Sequence, residues 1–201
     1  LVHVANGIRE NCPKDERLEL FKLPDFITTM IENKWLGSKT KQGFYKKSVS
    51  AEGKKEILSL DLNTLEYRSA KRAKFATLEL TKTIDKVVDR FKILVSGKDK
   101  AGEFYRKSFT ALFAYVSNRI PEITDELYKI DDAMKAGFGW EHGPFQIWDA
   151  IGVDKGIDLM KAEGLEPAAW VKEMLASGST SFYSGKEGAT DAYDIPSKSQ
   201  T

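Results

Sequence analysis

The sequence predicts a mostly α fold, a helical bundle carrying one small β-hairpin. Apolar residues recur at helical spacing from Ile84 onward, and a dense aromatic run crosses residues 99–128. Period-two alternation is confined to a short stretch around residues 57–68. With no alternation of strands and helices, a Rossmann sheet is excluded within these residues.

Taken in order, residues 1–10 read as the end of a helix, followed by a polar stretch over 11–16. Pro24 suits the first turn of a short helix, where its lack of an N–H costs nothing. Phe26, Ile27, Met30 and Ile31 follow at helical spacing, and Gly37 lies just past the expected end. Gly37 and Gly43 then punctuate a turn expected to deliver Phe44 and Tyr45 onto a packed surface. Residues 48–55 are polar and loop-like. Ile57, Leu58, Leu60 and Leu62 partly alternate with polar residues, and Asn63-Thr64 supply a turn before Leu65-Glu66-Tyr67-Arg68. A lone hairpin is marginal in water, so this one should lean on a helical neighbour.

Ile84, Val87, Val88, Phe91, Leu94 and Val95 form an apolar stripe stopped by Ser96-Gly97. The next helix, residues 99–128, spreads Phe104, Tyr105, Phe109, Leu112, Phe113, Tyr115, Val116 and Ile120 over more than one face. It should therefore be buried among several neighbours. Pro121 should kink or split it, because the ring clashes with the carbonyl of Ser117. Shorter helices are expected near 130–137, 144–151, 154–163 and 167–177, separated by glycines. The tail after Tyr183, rich in Ser, Gly, Asp and Lys, reads as frayed or disordered.

Composition narrows the function. The chain has 201 residues, 41% hydrophobic and 30% charged, which describes a globular protein rather than a disordered one. A net charge of +1 argues against a nucleic-acid binder. One Cys and two His exclude a disulfide framework and leave Cys/His zinc sites short of ligands. No apolar run approaches the roughly 20 residues of a bilayer span, and no leader pattern opens the chain, so a reduced, cytoplasmic setting is expected. The near-neutral total hides an asymmetry: residues 1–100 carry +7 and residues 101–201 carry −6. Such halves could attract each other or face different partners. The opening Leu1-Val2-His3-Val4 has neither an initiator Met nor a capping residue, and reads as part of something longer.

Isolated motifs carry little chemistry. His142 beside Glu141 could be a base with its orienting acid, but adjacent residues rarely hold that geometry, so a surface-loop histidine is the simpler reading. Cys12 lacks a base nearby in sequence. Asp131-Asp132 falls at the start of a predicted helix, where carboxylates cap free N–H groups. Lys71-Arg72-Ala73-Lys74 reads as a solvated linker rather than a phosphate site. Gly137-Phe138-Gly139 lacks the preceding strand, the third glycine and the downstream acid of a dinucleotide fingerprint.

Two denser constellations remain. Lys39-Thr40-Lys41-Gln42-Gly43-Phe44-Tyr45 is the first. The second runs from Asn118-Arg119 through Ile130-Asp131-Asp132-Ala133-Met134, Gly137-Phe138-Gly139 and Gly143-Pro144-Phe145 to Asp149-Ala150-Ile151-Gly152-Val153-Asp154. Both resemble the C-terminal helical domain of 3-hydroxyacyl-CoA dehydrogenases. There a Lys-Thr-Gly-x-Gly-Phe-Tyr run closes the domain that an Asn-Arg helix helps to build. In this sequence Lys41 replaces the first glycine of the closing run, and the closing run comes first. Ser181-Phe182-Tyr183 faintly echoes it at the far end.

The resemblance implies tandem copies of the domain, as in multifunctional β-oxidation proteins, some of which also carry an enoyl-CoA hydratase. Residues 1–47 would be the C-terminal remnant of a first copy and 48–97 a connecting hairpin and helix. Residues 98–183 would form a complete second copy, and 184–201 a disordered tail. It further implies an NAD-dependent oxidation of L-3-hydroxyacyl-CoA, with the NAD site and catalytic base in an N-terminal Rossmann domain outside these residues. The fragment alone is expected to bind no cofactor and to be inactive. It would form part of the acyl-CoA cleft wall and a domain or subunit interface, with a homodimer as one outcome. The family's catalytic Asn matches only Asn118. The preceding Gly-Phe is replaced by Ala114-Tyr115-Val116-Ser117, so Asn118 reads as vestigial. A free-standing helical interaction or oligomerisation module is the alternative.

Overall fold

The computed structural model describes residues 1–71, 73–186, 189–197 and 199–200. The chain forms two compact units, Leu1–Ala73 and Lys74–Thr201. This boundary differs from a connecting segment over 48–97: the hairpin belongs to the first unit, and the helices after residue 75 belong to the second.

In the first unit, helix α1 (Val2–Asn11) and helix α2 (Asp25–Glu32) precede an antiparallel sheet of β1 (Tyr45–Val49), β2 (Lys55–Leu60) and β3 (Tyr67–Ser69). Ile27 and Met30 face inward from α2, and Leu60 joins them from β2; Trp35 and Tyr67 pack against this small core. Helical spacing therefore reads α2 correctly. The sheet has three strands rather than two, because residues 45–49 pair with β2 in a register that sets Tyr45 opposite Ser59. Phe44 and Tyr45 do not reach a packed surface: they are 42% and 66% exposed. β1 reads Tyr-Lys-Lys-Ser-Val, and its adjacent lysines break any apolar alternation that would announce a strand.

The second unit is helical. Helices α3 (Ala76–Thr81), α4 (Val87–Ser96), α5 (Lys100–Asn118), α6 (Leu127–Phe138), α7 (Pro144–Ile151), α8 (Val153–Ala162) and α9 (Ala169–Ala176) enclose one core. Pro121 does end the long aromatic helix, which stops at Asn118, and the Ile120–Pro121 bond is cis. Asp99 caps α5 through the Gly102 N–H and also accepts from the Thr77 N–H and hydroxyl, joining α3 to α5. At the centre, the Trp148 ring stacks on Phe113 at 4.8 Å, and its Nε1 donates to the Val153 carbonyl at 3.0 Å.

Beyond α9 the expected disordered tail is corrected in its described part. Strands β4 (Tyr183–Lys186) and β5 (Ala189–Asp194) pair antiparallel, β6 (Ser199–Gln200) pairs with β5, and Tyr193 is buried. Polar composition concealed these strands: among their described residues Tyr193 is buried in the core, with Tyr183 and Ala192 partly packed against it. Each unit therefore ends in the same order: a helix with an inward Ile/Val–Met pair, a Phe-Tyr step, then a three-stranded antiparallel meander whose first residue is that tyrosine.

Close helix approach rests on glycine. A Cβ at Gly156 would lie 2.2 Å from Trp148 Nε1, inside the most crowded part of the core. Gly156→Ala is expected to destabilise the protein by about 2–3 kcal/mol, by overpacking. Urea unfolding checks this, and an unchanged midpoint would contradict it.

Candidate functional site

A cluster of buried and half-buried polar groups gathers at the N-terminus of α7. Gly143 precedes that helix with no side chain to cap it, and Pro144 carries no N–H, so Phe145 and Gln146 present the orphan donors. Asp131 of α6 satisfies both: Oδ1 accepts from Phe145 at 2.9 Å and Oδ2 from Gln146 at 3.0 Å. Gln146 Oε1 in turn accepts from the Gly143 N–H at 3.0 Å. The approach leaves no room at Gly143, where a Cβ would stand 2.3 Å from that of Asp131.

The same aspartate reaches the end of the bundle, since the Tyr183 hydroxyl donates to Asp131 Oδ2 at 2.9 Å. Asp149, on the far end of α7, accepts from the Phe182 and Tyr183 N–H groups at 2.8 and 2.9 Å. Phe182 is fully buried among the rings of Phe145, Trp148 and Trp170. Two carboxylates thus hold the Phe-Tyr step by main chain and hydroxyl, and three aromatic rings hold Phe182.

Burial dominates the electrostatics here. It pushes the Asp131 carboxyl above the usual carboxylate range, against three hydrogen bonds that favour its charge. Asp149 is pushed up to about 7, first by burial, with the two N–H donors pulling down and Asp131 adding repulsion. The Tyr183 hydroxyl is pushed up by burial and by the carboxylates, so it stays protonated and donates. These groups are engaged with one another and with main chain, so the cluster positions a segment rather than activating a nucleophile.

The other candidates are scattered. Asn118 ends α5, where its Nδ2 donates to the Ala114 carbonyl of its own helix at 2.8 Å. Its neighbour Ser117 does more tertiary work: its Oγ accepts from the Ala168 N–H, and its carbonyl accepts from Trp170 Nε1. His142 is partly buried, edge-on to Phe91, with Nε2 3.7 Å from Glu141. Asp132 is exposed and pairs with Lys135 at 2.8 Å. The Asp131-Asp132 pair is therefore not a cap of its own helix, as the sequence suggests; it lies within α6, and Asp131 caps the next one. Cys12 is exposed. Of the basic patch at 71–74, Arg72 lies outside the described residues. Phe138 is exposed, and Gly139 ends α6 in the left-handed conformation. Among the described residues, no group of three or more His, Cys, Asp and Glu could hold a metal ion, and no helix is long and apolar enough to cross a membrane.

Residues 109–190 match the 3-hydroxyacyl-CoA dehydrogenase C-terminal domain. This segment contains Asp131, Asp149, Phe182 and Tyr183. Over these residues the chain is similar to that domain. A relative from Bacillus subtilis, named "Probable 3-hydroxyacyl-CoA dehydrogenase", is 38% identical over 96% of this chain and 24% of its own length. A Rickettsia felis relative named "Putative fatty acid oxidation complex trifunctional enzyme" is 31% identical over 67% of this chain and 18% of its own length. The chain thus spans about a quarter or less of these relatives. No solved structure gives a significant match.

Three of the sequence pieces that carry the resemblance become one network in the second unit. Ile130-Asp131 supplies the cap, Gly143-Pro144-Phe145 the helix end that needs it, and Asp149 the anchor for the Phe-Tyr step. Nothing local in the sequence connects the three, or marks Tyr183 as the residue that bridges Asp131 and Asp149. The available signal was a Gly-Pro helix start that has no cap of its own.

The raised Asp149 value has a definite sign. The folded state binds this proton more tightly than the unfolded chain, so the stabilisation is full below the ordinary value of 3.8 and is lost as pH rises through about 7. Asp99, lowered to about 2 chiefly by Thr77 and Gly102, acts oppositely and only at lower pH, its contribution lost below the ordinary range. Between pH 5 and 7 the wild type is expected to lose about 1 kcal/mol of stability per pH unit through Asp149. Asp149→Asn should flatten that slope. Urea unfolding at pH 5, 6, 7 and 8 makes the comparison, and equal slopes in both proteins would count against the assignment.

Proposed function

We propose that this chain is the helical part of an NAD-dependent L-3-hydroxyacyl-CoA dehydrogenase of fatty-acid β-oxidation. In this reading the chain forms part of the acyl-CoA cleft wall and a domain or subunit interface, in a cytoplasmic enzyme. The match of residues 109–190 is the observation that carries it. The much greater length of the relatives supports a Rossmann domain elsewhere in the parent protein.

NAD does not fit the residues present. The described strands form antiparallel meanders, with no parallel βαβ unit and no glycine-rich strand-to-helix turn to receive a pyrophosphate. No chemical step is therefore assigned to these residues through NAD. Their own contribution is mechanical: the Asp131–Tyr183–Asp149 network fixes the end of the bundle, and several large apolar side chains are left at the surface. Phe104, Ile123 and Phe138, each at least 65% exposed, support an interface in this unit, with a Rossmann domain or a second subunit as its partner.

The two copies are read from the repeated helix, Phe-Tyr step and meander, with residues 1–47 as the end of the first and 98–183 as the body of the second. The order of motifs supports this: the closing run precedes a fresh Asn-Arg unit. Asn118 is proposed to be vestigial, and its intrahelical bond to Ala114 supports a structural role.

Assay of the isolated chain with acetoacetyl-CoA and NADH is expected to show no turnover, while a longer protein that includes a Rossmann domain should turn over. Within that longer protein, Asn118→Ala is expected to change kcat by less than about threefold, under ~0.7 kcal/mol of barrier. Turnover by the isolated chain, or inactivity of the longer protein, would overturn the reading.

A further inference from the structure

The charge of the first unit is concentrated where its sheet begins. Residues 39–56 hold six lysines against two glutamates, in a chain whose total is +1. The fold does not require them. The equivalent end of the second unit, residues 177–194, has the same Phe-Tyr step and meander with one lysine against three acids.

Pairing explains how these lysines are displayed. In β1 and β2, Lys47 stands opposite Ile57 and Val49 opposite Lys55, so Tyr45, Lys47, Val49, Lys55 and Ile57 share one sheet face. Tyr45, Val49 and Ile57 are 66%, 63% and 59% exposed, so this is an apolar strip edged with ammonium groups. Ser38, Lys41, Tyr45, Lys47 and Ile57 border a groove of about 660 Å³. It shares Lys47 and Ile57 with a second of about 550 Å³, edged by Lys55 and Glu56. Both volumes fall in the range of small-molecule sites. Lys41 adds a backbone oddity: at φ +66° it occupies the left-handed region, which a lysine enters at some cost in strain. Among the described residues, no carboxylate pairs with Lys41 or Lys47.

We propose that this groove holds the nucleotide end of a coenzyme A thioester, with Lys41 and Lys47 on its phosphates and the Tyr45 ring against its adenine. An exposed aromatic face accepts any base by stacking, and ammonium groups take phosphate as point charges. The concave site with an aromatic platform favours a nucleotide over an acidic protein surface, which would need no groove. The proposal rests on the acyl-CoA reading above.

Calorimetry on the 201-residue chain tests it, using coenzyme A, adenosine 3′,5′-bisphosphate, dephospho-coenzyme A, ADP and ATP as probes. Coenzyme A and the bisphosphate are expected to bind alike. Dephospho-coenzyme A, ADP and ATP should bind at least threefold more weakly, and every affinity should fall as salt rises. The Lys41→Ala/Lys47→Ala double variant should weaken coenzyme A binding at least tenfold, and Tyr45→Ala about fivefold, with thermal melting unchanged for these exposed positions. Lys92→Ala, on α4, should leave binding as it is. Undetectable binding, equal affinity in the double variant, or ADP or ATP binding as tightly as coenzyme A would overturn the proposal. The dehydrogenase assay of the longer protein decides the underlying reading separately: an active enzyme whose groove binds no coenzyme A refutes the groove alone.

Discussion

A buried carboxylate that caps a helix to which it does not belong organises the second unit. Asp131 sits inside α6 with no exposed surface, yet both of its oxygens are spent on α7 and on Tyr183. Burying such a group unsatisfied would be costly, so its three donors must arrive together. Gly143 must lack a Cβ, Pro144 must lack an N–H, and Tyr183 must lie within reach. The neighbouring Asp149 imposes the same discipline on the main chain of Phe182 and Tyr183. Once both are in place, Phe182 has one position, and the aromatic cluster around Trp148 closes.

This constraint links chain ends that are far apart in sequence. Asp131 and Tyr183 are separated by 52 positions, and the Asp149 bonds span 33 and 34. The network also places two raised carboxyls beside each other, so the end of the bundle responds to proton concentration near neutrality. The direction is unusual for aspartate, because desolvation here outweighs the N–H donors that normally lower it.

The first unit shows what the same closing step looks like without those partners. Phe44-Tyr45 follows an inward Ile–Met pair and begins a meander, as Phe182-Tyr183 does. Within the unit, however, the Phe44 ring stands edge-on to Phe26 at 6.4 Å and stays 42% exposed, and Tyr45 faces outward. The local architecture is therefore encoded by the short segment itself. What the aromatic pair does depends on which helices surround it.

Sequence alone determined the helical class, the stripes of α2 and α4, the break at Pro121 and the order of the family's motifs, because these rest on local periodicity and ring sterics. It misplaced what depends on a distant partner. Strand β1 has no apolar alternation to announce it, and its pairing with β2 creates the lysine-edged face. The tail strands are written in Ser, Gly and Asp, and become visible only when Tyr193 enters the core. Asn118 was legible as a motif residue, but its use on Ala114 was not. The role of Asp131 was decided by the tertiary structure, since a carboxylate chooses among N–H groups by distance and burial, and neither is written in its neighbours.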